Sequence, residues 1–446
     1  MMPVPEQDLA QFCRGLGCSR AAVDTVLEAA RDLEAAGRFA AIRRLRAGNQ
    51  LRVLAALQEA GIAEADFGGS SGYGYDDRGR ERLEQAYARV MGTEAALVRI
   101  QIATGTQAIA MALFAVLRPG DELLSLTGPV YDSLRPTIGR GAMASSPEDE
   151  GLGCGSLADF GVSYRELPLK DGELDLDGIA AAIRPETAMV LLQRSRGYAS
   201  RTALTAPVMQ EAVRRIRQAA ALQPAGSRAR RLVIFVDNCY GEFVESVEPG
   251  ALGVDLLAGS LIKNPGGGLA PSGGYVAGRR DLVEAAACRL NAPGLGSAVG
   301  PTLGLNRLLI QGFFLAPHIV AESLKGLVLA AEVLARRGFH SSPTSTAARG
   351  DLVQAVDFGD PGRLLTFCRA IQAAAPVDSF VTPVPAPLPG YDHEVVMAAG
   401  AFVSGSSIEL SADGPLAPPY TAYMQGGLVY EQMLYALMLA LDALEN

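Results

Sequence analysis

The chain has 446 residues, of which 49% are hydrophobic and 20% charged, proportions of a globular protein with a large core rather than a disordered tail, a collagen-like repeat or a small disulfide scaffold. Lys plus Arg number 39 against 48 for Asp plus Glu, a net charge of −9, so the broad positive field of a nucleic-acid binder is missing and no nucleic-acid partner is expected. Six scattered cysteines without a CxxC pair read as reduced thiols in a cytoplasmic protein, and the three histidines leave few parts for a His-rich metal centre, so no metal is expected.

At the N-terminus Glu6 and Asp8 stand where a signal peptide needs a basic region, and no run of about 18 apolar residues occurs, so neither export nor a membrane span is expected. From about Arg20 to Ala60 the chain carries apolar residues at Val26, Ala29, Leu33 and Ala36 and lacks proline, which predicts two helices. The glycine-rich stretch Phe67 to Gly79 holds Tyr73, Tyr75 and Arg78. It reads either as a flexible linker or as a loop that brings backbone close to a ligand or a partner chain.

Short apolar runs then alternate with helical stretches. Strands are expected at Glu122–Leu126, Met189–Leu192, Leu232–Val236 and Leu256–Ile262, and helices near Arg82–Met91, Gln107–Leu117, Leu176–Ile183 and Val208–Ala221. Such alternation predicts an α/β fold with a mainly parallel sheet covered on both faces. From Pro317 the stripe Val320, Leu324, Leu327, Val328, Ala331 and Leu334 predicts a helix leading into a smaller α+β domain. The prolines Pro383, Pro385, Pro387 and Pro389 suggest a rigid extended connection. The expected division is 1–80 for N-terminal helices and an arm, 81–316 for a large domain and 317–446 for a small one.

Four elements carry chemistry. Asp237 closes the apolar strand ending at Val236, and ligands in open α/β sheets sit at the carboxyl ends of strands; an N-cap or turn role is the plainer alternative. Only three lysines occur, Lys170, Lys263 and Lys325. Lys263 alone follows an apolar strand and precedes glycines, where a partly apolar pocket is expected to lower its pKa and free the amine as nucleophile and base. The turn Ala103-Thr-Gly105-Thr106 opens a helix, whose N–H groups and dipole suit a phosphate. Tyr131, just past the strand from Glu122, offers an aromatic face for a flat ligand. Together these match the parts of pyridoxal 5'-phosphate chemistry: a lysine for the imine, an aspartate for the ring nitrogen, a helix start for the phosphate and a covering ring.

The stretches Gly72-Tyr-Gly-Tyr-Asp-Asp77, Gln193-Arg-Ser-Arg-Gly-Tyr198, Val236-Asp-Asn-Cys-Tyr-Gly-Glu-Phe243, Gly259-Ser-Leu-Ile-Lys-Asn-Pro-Gly-Gly267, Phe314-Leu-Ala-Pro-His318, Pro376-Val-Asp-Ser379, Gly405-Ser-Ser-Ile-Glu-Leu-Ser-Ala-Asp413 and Tyr423-Met-Gln-Gly-Gly427 carry a resemblance over nearly the whole length. The chain resembles the methionine gamma-lyase-like proteins, also called aluminium resistance proteins, of the Cys/Met-metabolism group of pyridoxal-phosphate enzymes. The resemblance implies the aspartate-aminotransferase-like fold (fold type I), with a seven-stranded-type sheet in a large domain and a smaller α+β C-terminal domain. It also implies pyridoxal 5'-phosphate as cofactor and an obligate homodimer, often paired into a homotetramer.

Carried over by position, the resemblance makes Lys263 the imine lysine and α-proton base, and Asp237 the partner of the ring nitrogen. Ser260, Gly105 and Thr106 become phosphate ligands, and Tyr131 stacks on the ring and protonates the leaving atom. Tyr75 and Arg78, with Tyr73 as rival, would reach the phosphate of the neighbouring chain. The implied activity is elimination from a β- or γ-substituted L-amino acid. Its alternatives are γ-replacement through a vinylglycine-type intermediate, transamination and a non-catalytic metal-tolerance role. The sequence departs from the family pattern at Ala417, where an arginine is usual, at Ala199 and Ser200, where a tryptophan is usual, and at Val429, where a threonine is usual. Altered substrate recognition is implied, with Arg194, Arg196 or Arg201 as replacement carboxylate donors and Arg196 also counted among the cofactor ligands.

Overall fold

The computed structural model describes residues 6–141, 155–387 and 393–445. Cys154, Pro389 and the first five residues of the signal-peptide reading lie outside the described residues. Three helices open the chain: α1 (Glu6–Gly15), α2 (Arg20–Ala35) and α3 (Arg38–Glu59). Ser19 caps α2 by accepting the Ala22 N–H at 3.1 Å, and Val23, Val26, Ala29 and Leu33 form its buried face. Sequence periodicity anticipates α2 and α3 but not α1, too short to show a repeat.

The chain continues through α4 (Arg78–Met91), β1 (Ala95–Arg99), α5 (Gly105–Val116), β2 (Glu122–Ser125), β3 (Ser163–Glu166), α6 (Ile179–Ala182), β4 (Thr187–Gln193), α7 (Ala206–Ala221), β5 (Val233–Asp237), β6 (Leu256–Ser260), β7 (Gly274–Gly278), α8 (Arg280–Leu290) and α9 (Asn306–Arg336). The strands form one seven-stranded sheet in the order β1-β7-β6-β5-β4-β2-β3. From β6 to β3 all neighbours run parallel, whereas β7 is antiparallel to both β6 and β1. Every residue of β2, β4, β5, β6 and β7 is buried. Burial on both faces explains the unbroken apolar runs of β2, β4, β5 and β6. β3, Ser-Tyr-Arg-Glu, is a half-exposed edge strand, and β7 is flanked by glycines, so neither announces itself.

The last elements are β8 (His340–Ser342), β9 (Val353–Asp357), α10 (Pro361–Ala373), β10 (Val395–Ala398), β11 (Ser411–Pro415), β12 (Thr421–Gln425) and α11 (Tyr430–Glu445). Their strands make an antiparallel sheet in the order β10-β11-β12-β9-β8. Two compact units result, Asn49–Ala316 and, together, Met1–Gly48 with Pro317–Asn446. The expected segment 1–80 is divided instead: its first 48 residues group with the C-terminal elements.

The helix expected from Pro317 begins earlier, at Asn306, and carries Pro317 inside it. By length and composition α9 could cross a membrane, but 72% of its most apolar window is buried inside the protein, so packing accounts for its apolar character. Among the described residues Cys13, Cys18, Cys239, Cys288 and Cys368 are free thiols.

Glycines shape the turn after β6. Gly267 adopts φ +54°, and a methyl group there would overlap the Gly312 carbonyl oxygen of α9 and reach within 3.1 Å of the Ala316 nitrogen. Left-handed strain and overpacking act together at this position, so Gly267→Ala is expected to cost about 2–4 kcal/mol. A urea unfolding midpoint unchanged from the parent would contradict this.

Candidate active site

Asp237 is the last residue of β5, paired in register with Gln193 of β4 and Ala258 of β6. Its carboxyl is buried, and Oδ1 accepts the Cys239 N–H at 3.1 Å. Burial raises its pKa, and the charge of Lys263 pulls the other way. Lys263 follows β6 and is half-buried, with Nζ 4.0 Å above the ring centroid of Tyr240. Burial lowers the proton affinity of this amine, but Cys239, Tyr240, Asp237 and Tyr131 together outweigh it and hold the ammonium above its ordinary range. The expected lowering is therefore corrected for the protein groups acting alone. The apolar flanks of Lys263 are visible in sequence, whereas the anionic end of β5 is brought beside it only by the fold.

The start of α5 lies against the same strand ends. Thr104 caps it: its hydroxyl accepts the Gln107 N–H at 3.0 Å and its carbonyl the Ala108 N–H at 3.1 Å. The Gly105 and Thr106 N–H groups have no partner among the described residues. A Cβ on Gly105 would stand 3.2 Å from Cys239 Sγ and 3.4 Å from Ser260 Cβ, so the missing side chain lets the helix start approach β5 and β6. Ser260 is buried at the end of β6, and its hydroxyl likewise has no partner among the described residues. Three donors thus converge where a helix dipole favours an anion.

Tyr131 closes the group. Its hydroxyl donates to Thr106 Oγ1 at 3.0 Å and its N–H to Gln193 Oε1 at 3.1 Å. Burial, with Asp237 adding to it, pushes the phenol above its ordinary range, so it stays protonated. Lys263, Asp237, Ser260, Gly105, Thr106 and Tyr131, each singled out from sequence, form one constellation. Sequence reasoning missed Tyr240 and Gln193. Tyr240 adopts φ +68°, unusual for a bulky residue, and this strained turn sets its ring beneath the amine.

The other candidates lie elsewhere. Tyr73 and Tyr75 are 65% and 58% exposed, and Arg78 is bonded to Asp66 at 2.6 Å. None hydrogen-bonds to the Lys263 group. Their loop is tightly held, which overturns the flexible-linker alternative. Arg80 donates to the carbonyls of Gly74 and Gly300 at 2.7 Å each. Asp77 accepts from Thr302 at 2.5 Å, Asn306 at 3.1 Å, the Arg80 N–H at 3.0 Å and Ser70. Burial raises the Asp77 pKa, but these donors outweigh it and bring it down to about 2.

Among the replacement carboxylate donors, Arg194 is fully buried and bound to Asn238, Glu245 and Glu248. Arg201 is tied to the Gln193, Ser195 and Thr202 carbonyls. Both side chains are engaged by neighbours in the fold, and the Arg201 charge also reaches Asp237. Arg196 is buried and donates to the Ala199 carbonyl at 3.2 Å.

The set fits pyridoxal phosphate: free N–H and hydroxyl donors for a phosphate, an amine for an aldehyde, a buried acid for a ring nitrogen. Among the described residues no group of three or more His, Cys, Asp or Glu is placed to hold a metal ion. A family model described as "Methionine gamma-lyase" matches residues 23–445. The chain belongs to the methionine gamma-lyase family.

Within reach of this family stands YnbB of Bacillus subtilis (strain 168), an uncharacterised protein 47% identical over 422 residues, 94% of this chain and 96% of its own. A solved structure of a carbon-sulfur lyase involved in aluminium resistance from Clostridium novyi NT is 40% identical, covers 97% of this chain and 98% of that chain, and has a TM-score of 0.88. The pyridoxal-5'-phosphate dependent protein YhfS of Escherichia coli shares the fold at 17% identity, over 91% of this chain and 97% of that chain, with a TM-score of 0.58. The fold is that of the fold type I pyridoxal-phosphate enzymes, as the sequence implies.

Proposed function

We propose that the protein is a pyridoxal-phosphate-dependent lyase that removes a sulfur- or oxygen-bearing group from the β or γ carbon of an L-amino acid, releasing a 2-oxo acid and ammonia. The observation that carries this reading is the convergence of the Lys263 amine, the Asp237 carboxyl and the Gly105–Thr106 helix start at the carboxyl ends of β5 and β6. Family membership and the carbon-sulfur lyase from Clostridium novyi support it.

Lys263, Asp237, Tyr131, Ser260 and the Gly105 and Thr106 N–H groups would hold the cofactor. When bound, pyridoxal phosphate supplies an aldehyde for the amino group and an electron sink for charge left on the α carbon. Asp237 holds a proton at the ring nitrogen by keeping a negative charge in a low-dielectric setting. Lys263, an ammonium among the protein groups alone, would take the α proton as the free amine, once that charge is relieved in the cofactor-loaded protein. Tyr131 Oη, neutral by burial, protonates the departing sulfur or oxygen. Arg196 is assigned to anion binding, in place of the arginine that the family pattern carries at the position of Ala417. The exposed Tyr75 and Arg78, on a loop held rigid by Asp77 and Arg80, are assigned to a second copy of the chain, which makes the working form at least a dimer.

Borohydride reduction of the protein loaded with pyridoxal phosphate, followed by peptide mapping, tests the reading: the label belongs on Lys263, and a label on Lys170 or Lys325 would contradict it. Tyr131→Phe keeps the ring and removes the hydroxyl held by Thr106. It is expected to lower kcat by about 10²-fold with cofactor retained, read from steady-state rates and the cofactor absorbance; an unchanged kcat would remove Tyr131 as the acid.

A further inference from the structure

Behind the strand that carries Ser260 lies a second buried carboxyl, which the chemistry above does not use. Glu242 has 0% of its surface exposed. Oε1 accepts the Tyr275 hydroxyl at 2.8 Å, and Oε2, fully buried, has no partner. Among the described residues no lysine or arginine forms an ion pair with it. Arg194 is engaged by Glu245 at 2.9 Å and Glu248 at 3.3 Å.

The proton directions leading to Glu242 are fixed by chemistry. Arginine only donates, so Asn238 Oδ1 accepts from Arg194 Nη1 at 2.9 Å. This orients the Asn238 amide, whose Nδ2 donates to the Tyr275 oxygen at 3.1 Å. The Tyr275 proton is then left for Glu242 Oε1. A carboxylate at the end of this relay would bury a charge without a paired cation and strand Oε2, which is costly. A carboxylic acid removes the charge and turns Oε2 into a donor. Asn264 Oδ1 is also buried and unpartnered, while Asn264 Nδ2 donates to the Glu242 carbonyl at 2.9 Å.

Glu242 touches both ends of the lysine turn. A Cβ on Gly259 would lie 2.6 Å from Glu242 Oε1 and 2.5 Å from Tyr275, so strand β6 passes this pair only as glycine, one residue before Ser260. On the far side Asn264, the residue after Lys263, is held by the Glu242 backbone. We propose that Glu242 is held as a neutral carboxylic acid, ending a relay from Arg194 through Asn238 and Tyr275, and is a positioning residue for the Ser260–Lys263 turn. Its positioning role rests on the reading of Lys263 given above; its protonation does not.

The groups that face Glu242 are Tyr87, Tyr275, Arg194, Glu248 and Lys263. Burial raises Glu242 to about 8; its own backbone N–H, Tyr275 and Lys263 oppose this and Glu248 adds to it. Burial is the first cause that pushes up Tyr87 of α4 and Tyr275 of β7, and an ionised Glu242 would push both further and add to the anions around Arg194. Between the ordinary value of 4.5 and about 8 the folded chain keeps a proton that the unfolded chain releases. This contribution to stability therefore falls as pH rises through that window and levels off above it.

Glu242→Gln is neutral and nearly isosteric, with an amide donor in place of the acid. Thermal melts of cofactor-free protein, followed by circular dichroism from about pH 5 to about pH 9.5, are expected to show the variant at or above the parent, with a gap that widens toward about pH 8 and then holds. A variant melting below the parent at neutral pH by a constant margin would mean that an ionised carboxylate is required, and would overturn the proposal. Infrared spectra of the parent labelled with ¹³C-glutamate read the state without any variant: a protonated-carboxyl stretch at neutral pH that disappears on the alkaline side is expected, and its absence overturns the proposal. For positioning, Glu242→Gln is expected to bind pyridoxal phosphate within about 3-fold of the parent and Glu242→Ala at least about 10-fold more weakly; equal binding by the alanine variant leaves no positioning role. The melts and infrared spectra involve no turnover, so they stand even if the lyase reading fails.

Discussion

Lys263→Ala is expected to lower turnover by about 10³-fold or more. Its amine is the one placed beside both Asp237 and the free donors of α5. The other lysines cannot take over: Lys170 sits in an exposed turn bridged to Glu173, and Lys325 is paired with Glu322 at 2.7 Å. Because the Gly105, Thr106 and Ser260 donors remain, the variant is expected to retain pyridoxal phosphate noncovalently, with the absorbance of the free aldehyde. Steady-state rates and a cofactor spectrum check both halves. Turnover within about 10-fold of the parent would remove Lys263 as the base.

Asp237→Asn is expected to lower turnover by about 10²–10⁴-fold while leaving the fold intact. The amide oxygen can still accept the Cys239 N–H, so the change removes charge rather than support. A pH profile adds a signed test. Burial raises the Asp237 pKa, so as pH falls the carboxylate is neutralised at a pH above the ordinary aspartate range. The acid limb of activity is therefore expected to begin above that range in the parent and to be absent from the residual activity of the asparagine variant. An acid limb shared by both proteins would place the titration on another group.

Much of this site is legible in the sequence because chemistry stands at the ends of unbroken apolar strands. Asp237 after Leu232–Val236 and Lys263 after β6 need no tertiary information to draw notice, and Thr104 to Thr106 carries a helix-start signature. The charge state of Lys263 is not legible, since Asp237, Cys239, Tyr240 and Tyr131 come beside it only through other strands and loops. Tyr240 and Glu242 also escape: inside Cys-Tyr-Gly-Glu-Phe nothing local shows that one ring will lie under an amine or that one carboxyl will be sealed behind Gly259. In the fold, β3 and β7 are missed because an edge strand can be polar and glycines interrupt the other. The grouping of α1 and α2 with the C-terminal elements depends on contacts such as Ser19 to Asp442 at 2.8 Å, far apart in the chain.

The central claim is that the Lys263 and Asp237 constellation removes an α proton and expels a β or γ substituent. Proton NMR of the protein with pyridoxal phosphate in heavy water, supplied with cystathionine, methionine and O-substituted homoserines, tests it most directly. The account predicts loss of the α-proton signal together with a 2-oxo acid, pyruvate marking β-elimination and 2-oxobutyrate γ-elimination. Exchange at the α and β carbons without any 2-oxo acid, or no exchange with any substrate, would contradict it.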